Sequence, residues 1–273
     1  MSGAAWTAYF TLLSFFGGAC VGSFINVCIH RIPRGESIIR PRSRCPSCGS
    51  PIRWYDNIPF VSFLLLRGRC RDCRGRISLR YPFVELLTAV LFLGIWNAYG
   101  FDPRTPVYMA AVAALIAASF IDLDFMIIPD RISLGGMVAG LAVSGLLPSL
   151  HGKTEWTESL LDSLIGLSAG AGLLFAVALL GKLVFKKDAM GLGDVKLLGA
   201  IGALLGWQAI LFTIFLSSLL GSAVGVALIA SGRSAWQSRI PYGPYLSASA
   251  AIWILGGHSW WKAYLEWLLG PAA

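Results

Sequence analysis

The feature that most restricts this chain is a series of long stretches without Asp, Glu, Lys, Arg or His: residues 1–29, 86–101, 105–121, 132–150, 163–181, 197–232 and 240–257. A helix needs about 20 apolar residues to cross hydrocarbon, and several of these runs approach that length. The run 197–232 is too long for one ordinary span, and Gly206-Trp207-Gln208 offers a turn inside it. Splitting it there gives about eight transmembrane helices in an all-α polytopic membrane protein. The first half, starting near Asp194, is short and carries Gly199, Gly202 and Gly206, the pattern of a broken or partial helix. With 56% hydrophobic and only 13% charged residues, the chain lies far from the roughly 25% charged of a soluble domain. A water-soluble globular enzyme is excluded.

The first run has no Lys or Arg before Arg31, so it lacks the basic start of a secretory signal and is expected to be a retained span. Residues 30–81 hold twelve of the 22 basic residues against only Glu36, Asp56 and Asp72. The positive-inside rule places that loop in the cytoplasm. Alternation then puts 122–131, 182–196 and 232–243 on the same face, with 102–106, 151–157 and both chain ends outside. The outer segments carry only Arg104, Lys153 and Lys262, so the charge count agrees at every charged loop. The net charge of +8 sits mostly in one juxtamembrane loop, which favours anionic lipid over nucleic acid as its counterpart.

Residues 30–81 are too few to build a core alone, and the sequence supplies a staple: Cys45-Pro46-Ser47-Cys48 and Cys70-Arg71-Asp72-Cys73. Two such knuckles resemble a zinc ribbon, in which four thiolates fill a tetrahedral shell and leave no open position for water. The zinc would be structural. Gly49 and Gly75 follow each knuckle and are expected to permit tight turns. Disulfides or four unrelated cysteines are the alternatives, and a cytoplasmic location argues against the former. Cys20 and Cys28, in the first run, read as small buried hydrophobes.

Carboxylates at a membrane edge are costly, so each is a functional candidate. Asp122 and Asp124 end the third run, and Asp194 opens the sixth helix in Gly191-Leu192-Gly193-Asp194-Val195-Lys196. One carboxylate from each of two helices ending at the same face can share a proton, giving an acid and a base that activate water against an amide. Gly191 and Gly193 would let the backbone bend and a substrate strand approach. The bland readings are a helix cap for Asp130, an open role for Asp124, and an ion pair between Asp194 and Lys196. His30, His151 and His258 stand alone in the sequence and read as solvated or satisfied residues.

These strings carry a family resemblance. Gly22-Ser23-Phe24-Ile25-Asn26-Val27, Ser43 to Cys48, Trp54-Tyr55-Asp56-Asn57-Ile58-Pro59, Gly68 to Cys73 and Arg80-Tyr81-Pro82 resemble the bacterial type IV prepilin peptidases. So do Ile121-Asp122-Leu123-Asp124 with Ile128-Pro129-Asp130, the Gly191 to Lys196 string, and Pro241-Tyr242-Gly243-Pro244. The resemblance implies a bifunctional enzyme of the bacterial inner membrane. It would cleave the leader of type IV prepilins and pseudopilins at the cytoplasmic face and methylate the new N-terminus with S-adenosylmethionine. Asp122 and Asp194 would be catalytic, Asp124, Gly191, Gly193 and Lys196 supporting, and Cys45, Cys48, Cys70 and Cys73 the zinc ligands. The expected organisation is a first span at 1–29, a four-cysteine, methyltransferase-associated loop at 30–81, and a peptidase domain at 82–273. No glycine-rich nucleotide fingerprint marks the methyl-donor site, for which Gly22, Asn26 and Glu36 are candidates. Rival readings are another GxGD protease of the presenilin kind and a non-enzymatic zinc-stapled scaffold or transporter.

Overall fold

A computed structural model describes residues 3–186, 190–232 and 240–270. The segments 182–196 and 232–243, used in the charge count, fall partly outside them, as does the chain's last stretch. The described residues are mostly helical, with only isolated bridges in place of strands. Ten α-helices occur in order: α1 (Gly3–Arg31), α2 (Val61–Leu65), α3 (Arg80–Tyr99), α4 (Arg104–Phe125), α5 (Asp130–Leu146), α6 (Trp156–Phe185), α7 (Leu192–Leu205), α8 (Trp207–Ala230), α9 (Gly243–Ile252) and α10 (His258–Leu269).

Among them, α1, α3, α4, α6 and α8 are long and apolar enough to cross a membrane. The chain is a multi-pass membrane protein. The other three expected spans fold as shorter pieces: α5 has 17 residues, α7 has 14, and the last run forms α9 followed by a π-helical turn with a kink at Gly256 (φ 135°). The last run is therefore a broken helix, because a left-handed residue cannot continue a right-handed one.

The chain divides into two compact units, 1–117 and 118–273. In the first, α1 packs along α3 through small residues. A Cβ added to Gly22 would lie 2.7 Å from Glu85 Cα, and one added to Gly18 would lie 2.9 Å from Ala89 Cα. Toward the other end of this pair, Phe10 stacks on Trp96, whose indole N–H donates to Thr11 at 3.2 Å. Cys28 is buried as expected, whereas Cys20 lies on an exposed face of α1. That face carries Phe16 and Phe24 as well, which is the composition of a lipid-facing surface rather than a core.

In the second unit α7 is the central helix, with Val195 and every residue from Leu197 to Ala203 buried. Its glycines explain how so short a helix can be surrounded. Gly202 meets Gly166 of α6 backbone to backbone, and a Cβ on Gly170 would lie 2.5 Å from the Leu198 carbonyl oxygen. Small residues at helix crossings allow this approach, which replaces hydrophobic driving force with contact and hydrogen bonding in lipid. Serine hydroxyls supply the bonds: Ser163 and Ser144 donate to the Ala203 carbonyl at 2.5 and 3.3 Å, and Ser159 donates to the Ser144 carbonyl at 2.7 Å. His151 is 2.9 Å from the Ser144 hydroxyl and so is a satisfied residue, as read from sequence. Gly206 ends α7 with φ 81°, at the turn expected inside the long run.

Candidate active site

Asp122 sits in the last turn of α4. That helix stops because Met126 takes a left-handed conformation (φ 56°), its N–H returning to the Asp122 carbonyl at 2.9 Å. Pro129, extended, then leads into α5. Asp194 is the third residue of α7, placed there by Gly191, which caps the helix in extended conformation and accepts the Asp194 N–H at 3.2 Å. An acid in the first turn of a helix faces the positive end of the macrodipole. Two helix ends, one carboxyl-terminal and one amino-terminal, thus each present one carboxylate.

The Asp122 side chain is buried, and its Oδ2 accepts the Gly243 backbone N–H at 3.0 Å. Asp194 Oδ1 is buried and has no hydrogen-bond partner among the described residues. A buried oxygen without a partner is uncommon and needs a reason such as an unseen water or a reactive role. Ile128 lies beside both glycines of the site: a Cβ on Gly193 would come within 3.2 Å of Ile128 Cβ, and one on Gly243 within 2.8 Å of Asp122 Oδ2 and 3.1 Å of Ile128 Cδ1.

Some sequence expectations change here. Lys196 does not pair with Asp194; its Nζ lies 2.7 Å from Asp130 Oδ1, joining the start of α5 to α7. Asp130 is thus the first residue of a helix and one half of an ion pair. Asp124 is exposed, two residues from Asp122 and so on another face of α4. Gly191 and Gly193 have no left-handed backbone, so neither is present to bend the chain. Gly193 is small because Ile128 is against it, whereas a Cβ on Gly191 would make only ordinary contact, 3.5 Å from Asp194 Oδ2. Gly243 was given no role from sequence. Its signal was the Pro241-Tyr242-Gly243-Pro244 string, which reads as a helix start, with Tyr242 hydrogen-bonded to Ser217 at 2.7 Å and Pro244 in the first turn.

The first unit holds the cysteine module. Its two knuckles repeat one backbone pattern. Cys45 N–H donates to Ser50, Gly49 N–H to Cys45, and Arg44 bridges Pro51. In parallel, Cys70 N–H donates to Gly75, Arg74 N–H to Cys70, and Arg69 bridges Arg76. The left-handed position is Gly49 (φ 72°) in one and Arg74 (φ 60°) in the other, not Gly75 as expected. Gly75 is small for a different reason: a Cβ there would lie 3.2 Å from Cys73 Sγ and 3.3 Å from Ser47 Oγ.

The four Sγ atoms of Cys45, Cys48, Cys70 and Cys73 lie within 4.8 Å of one another, and Cys45 and Cys73 are 3.9 Å apart. Tetrahedral coordination with Zn–S near 2.3 Å requires sulfurs about 3.8 Å apart, so the donors fit a metal ion. The hydroxyl and backbone N–H of Ser50 draw the Cys48 thiol down to about 6, and the backbone N–H groups of Cys73 and Asp72 lower Cys70. Gly75 N–H favours the Cys73 thiolate too, but the surrounding thiols outweigh it and push Cys73 up to about 11. Beside the knuckles, Arg71 grips Asp56 with contacts of 2.6 and 2.8 Å and lies over the Tyr55 ring.

The fold and this site define a multi-pass helical membrane protein with paired carboxylates on separate helices and a four-thiol module. Residues 16–99 match the bacterial peptidase A24 N-terminal domain, and residues 109–226 match the type IV leader peptidase family. The chain belongs to that family. It is 39% identical to the prepilin leader peptidase/N-methyltransferase of Aeromonas hydrophila, over 96% of each chain, and 36% identical to that of Pseudomonas aeruginosa, over 94% of each. The protein of the same name from Myxococcus xanthus is 40% identical over 82% of this chain and 65% of its own length. No solved structure matches.

Proposed function

We propose that this protein removes the leader of type IV prepilins or pseudopilins and methylates the newly exposed N-terminus. The observation that carries the peptidase reading is the pair of Asp122, buried, and Asp194, half-buried with its Oδ1 enclosed, held on two helix ends in a chain of the leader peptidase family. The ionised member takes a proton from water, whose oxygen attacks the scissile carbonyl carbon. The protonated member donates to the carbonyl oxygen, and collapse of the tetrahedral species expels the amine with a proton returned from the dyad. Gly243 N–H holds Asp122 Oδ2 in place. Lys196 is engaged by Asp130, so the unpartnered Asp194 Oδ1 is free to receive the water.

A prepilin enters with its apolar helix in the bilayer and its leader in the cytoplasm, so the dyad works at the cytoplasmic edge of the bacterial inner membrane. The basic loop 30–81 then meets anionic headgroups on that side. It repels a basic leader, leaving recognition to the apolar helix. Cys45, Cys48, Cys70 and Cys73 hold zinc with every position filled by sulfur, which makes it a fold element and not a catalyst.

The methyl-transfer step belongs to the first unit. It contains a cavity of about 610 Å³ where apolar side chains meet a wall rich in charged ones, a size and character suited to S-adenosylmethionine, which joins a flat base to a charged amino-acid end. Asn26 and Glu36 line it, while Gly22 instead serves the packing of α1 on α3. When bound, the donor supplies an electrophilic methyl group. Mass spectrometry of a prepilin incubated with the purified protein, with and without S-adenosylmethionine, tests both activities. The expected products are the truncated chain and the truncated chain plus one methyl group, and an intact precursor refutes the assignment.

A further inference from the structure

The acids lining the first-unit cavity are not alike. Glu36 and Asp72 are exposed, and Asp56 is bound by Arg71. Glu85, in the second turn of α3, is only 9% exposed and pairs with no Lys or Arg among the described residues. Its Oε2 accepts the Phe60 backbone N–H at 2.9 Å. That donor suits a charged carboxylate, yet a buried charge without a counter-ion is costly. Phe60 makes its bond from a left-handed backbone (φ 41°) that a bulky residue rarely adopts. Strain of this kind persists where the surrounding structure over-determines it, commonly at functional sites.

Asn26 provides a second acceptor in the same cavity. It is 9% exposed, and its amide N–H₂ donates to the Tyr81 carbonyl at 3.1 Å. Its Oδ1 accepts nothing among the described residues. A carboxylate and an amide oxygen together suit a cation that carries several N–H donors. The rest of the cavity wall is rich in arginine, including Arg31, Arg42, Arg44 and Arg53, which leaves the Glu85 end as the place for positive charge.

We propose that Glu85 and Asn26 bind the N-terminal ammonium of the cleaved pilin chain. This rests on the reading that methyl transfer takes place in this unit. An ammonium at the head of an apolar helix is held at the level of the bilayer edge, and Glu85 lies near the start of a membrane-length helix. The methyl donor carries an ammonium too, but its carboxylate suits the arginine-lined part of the cavity.

The test uses full-length protein in lipid nanodiscs and a synthetic peptide with the mature pilin N-terminus, free or N-acetylated. Acetylation should weaken binding to the wild type about tenfold or more, the loss of a charge-assisted hydrogen bond. Glu85→Gln should weaken the free peptide to the same degree and leave the acetylated peptide unchanged. Equal wild-type binding of the two peptides overturns the proposal, whatever the folding of the variant. S-adenosylhomocysteine is titrated in parallel: weaker binding of this compound to Glu85→Gln, with peptide binding unchanged, puts the donor's amino group on Glu85 and also overturns it. Methyl addition to the peptide by the wild type is scored separately by mass. Its absence refutes methyl transfer itself, whereas methylation with acetylation-insensitive binding refutes only the role of Glu85 and Asn26.

Discussion

The two units keep polar groups in order by opposite means. The loop of the first unit is tied side chain to side chain: thiol clustered with thiol, Arg71 on Asp56, Arg53 on the Tyr55 hydroxyl at 2.7 Å. The second unit is tied side chain to backbone and backbone to backbone, with Ser144 and Ser163 on the Ala203 carbonyl and Gly166 against Gly202. The difference follows from surroundings. In water a short loop gains little from apolar burial and depends on ions and cross-links. Within lipid, shape and satisfied carbonyls carry the association. The first unit should therefore respond to chelators and acid, and the second to changes of volume.

The largest expected effect separates the chemistry. Asp122→Asn or Asp194→Asn should reduce leader cleavage about a thousandfold or more, the scale of a lost acid or base, without altering bound zinc. Processing at the wild-type rate by either variant would remove the dyad. Next, Gly202→Val should lower the thermal midpoint of the second unit, with an overpacking cost of about 1–3 kcal/mol or more because the obstacle is backbone. Zinc content should stay constant, and a parallel loss of zinc would break the contrast between the units.

Conversely, Cys45→Ser or treatment with a chelator should deplete zinc and loosen the loop 30–81, seen as faster proteolysis there and unchanged cleavage within α7. An unaltered metal content would argue against the four-thiolate site. A smaller effect is expected in acid. Arg71 holds the Asp56 carboxyl below its ordinary value of 3.8, so the stabilisation is complete above that pH and is lost as pH falls through the depressed value. Arg71 is 45% exposed, which limits the effect to below about 1 kcal/mol. Asp56→Asn should abolish this acid step in loop proteolysis. Least of all, replacing His30 or His258 should leave cleavage unchanged.

Particular residues show what was legible beforehand. The charge-free runs located the helices because hydrocarbon admits almost no charge, and the paired knuckles announced a cluster of four thiols because ligand spacing is local. Asp122 and Asp194 stood out as candidates because acids are rare at a membrane edge. The alternative pairing of Asp194 with Lys196 falls, since nothing in the string Gly191 to Lys196 reports that Asp130 of α5 is within reach. Gly75 was credited with a turn that Arg74 makes. Gly243 and Glu85 were passed over because their significance lies in partners far along the chain, Asp122 and Phe60.

The sequence alone determined which segments are helical, that the chain is a membrane protein, and which cysteines cluster. These properties depend on the composition of contiguous stretches or on fixed local spacing. The tertiary structure decided that α7 is short and enclosed, that Asp122 is held by the Gly243 N–H, and that Glu85 is a buried acid without a cation. Each is a contact between residues remote in sequence, set by how closely glycine-bearing helices can approach, and such distances are written in no single stretch of the chain.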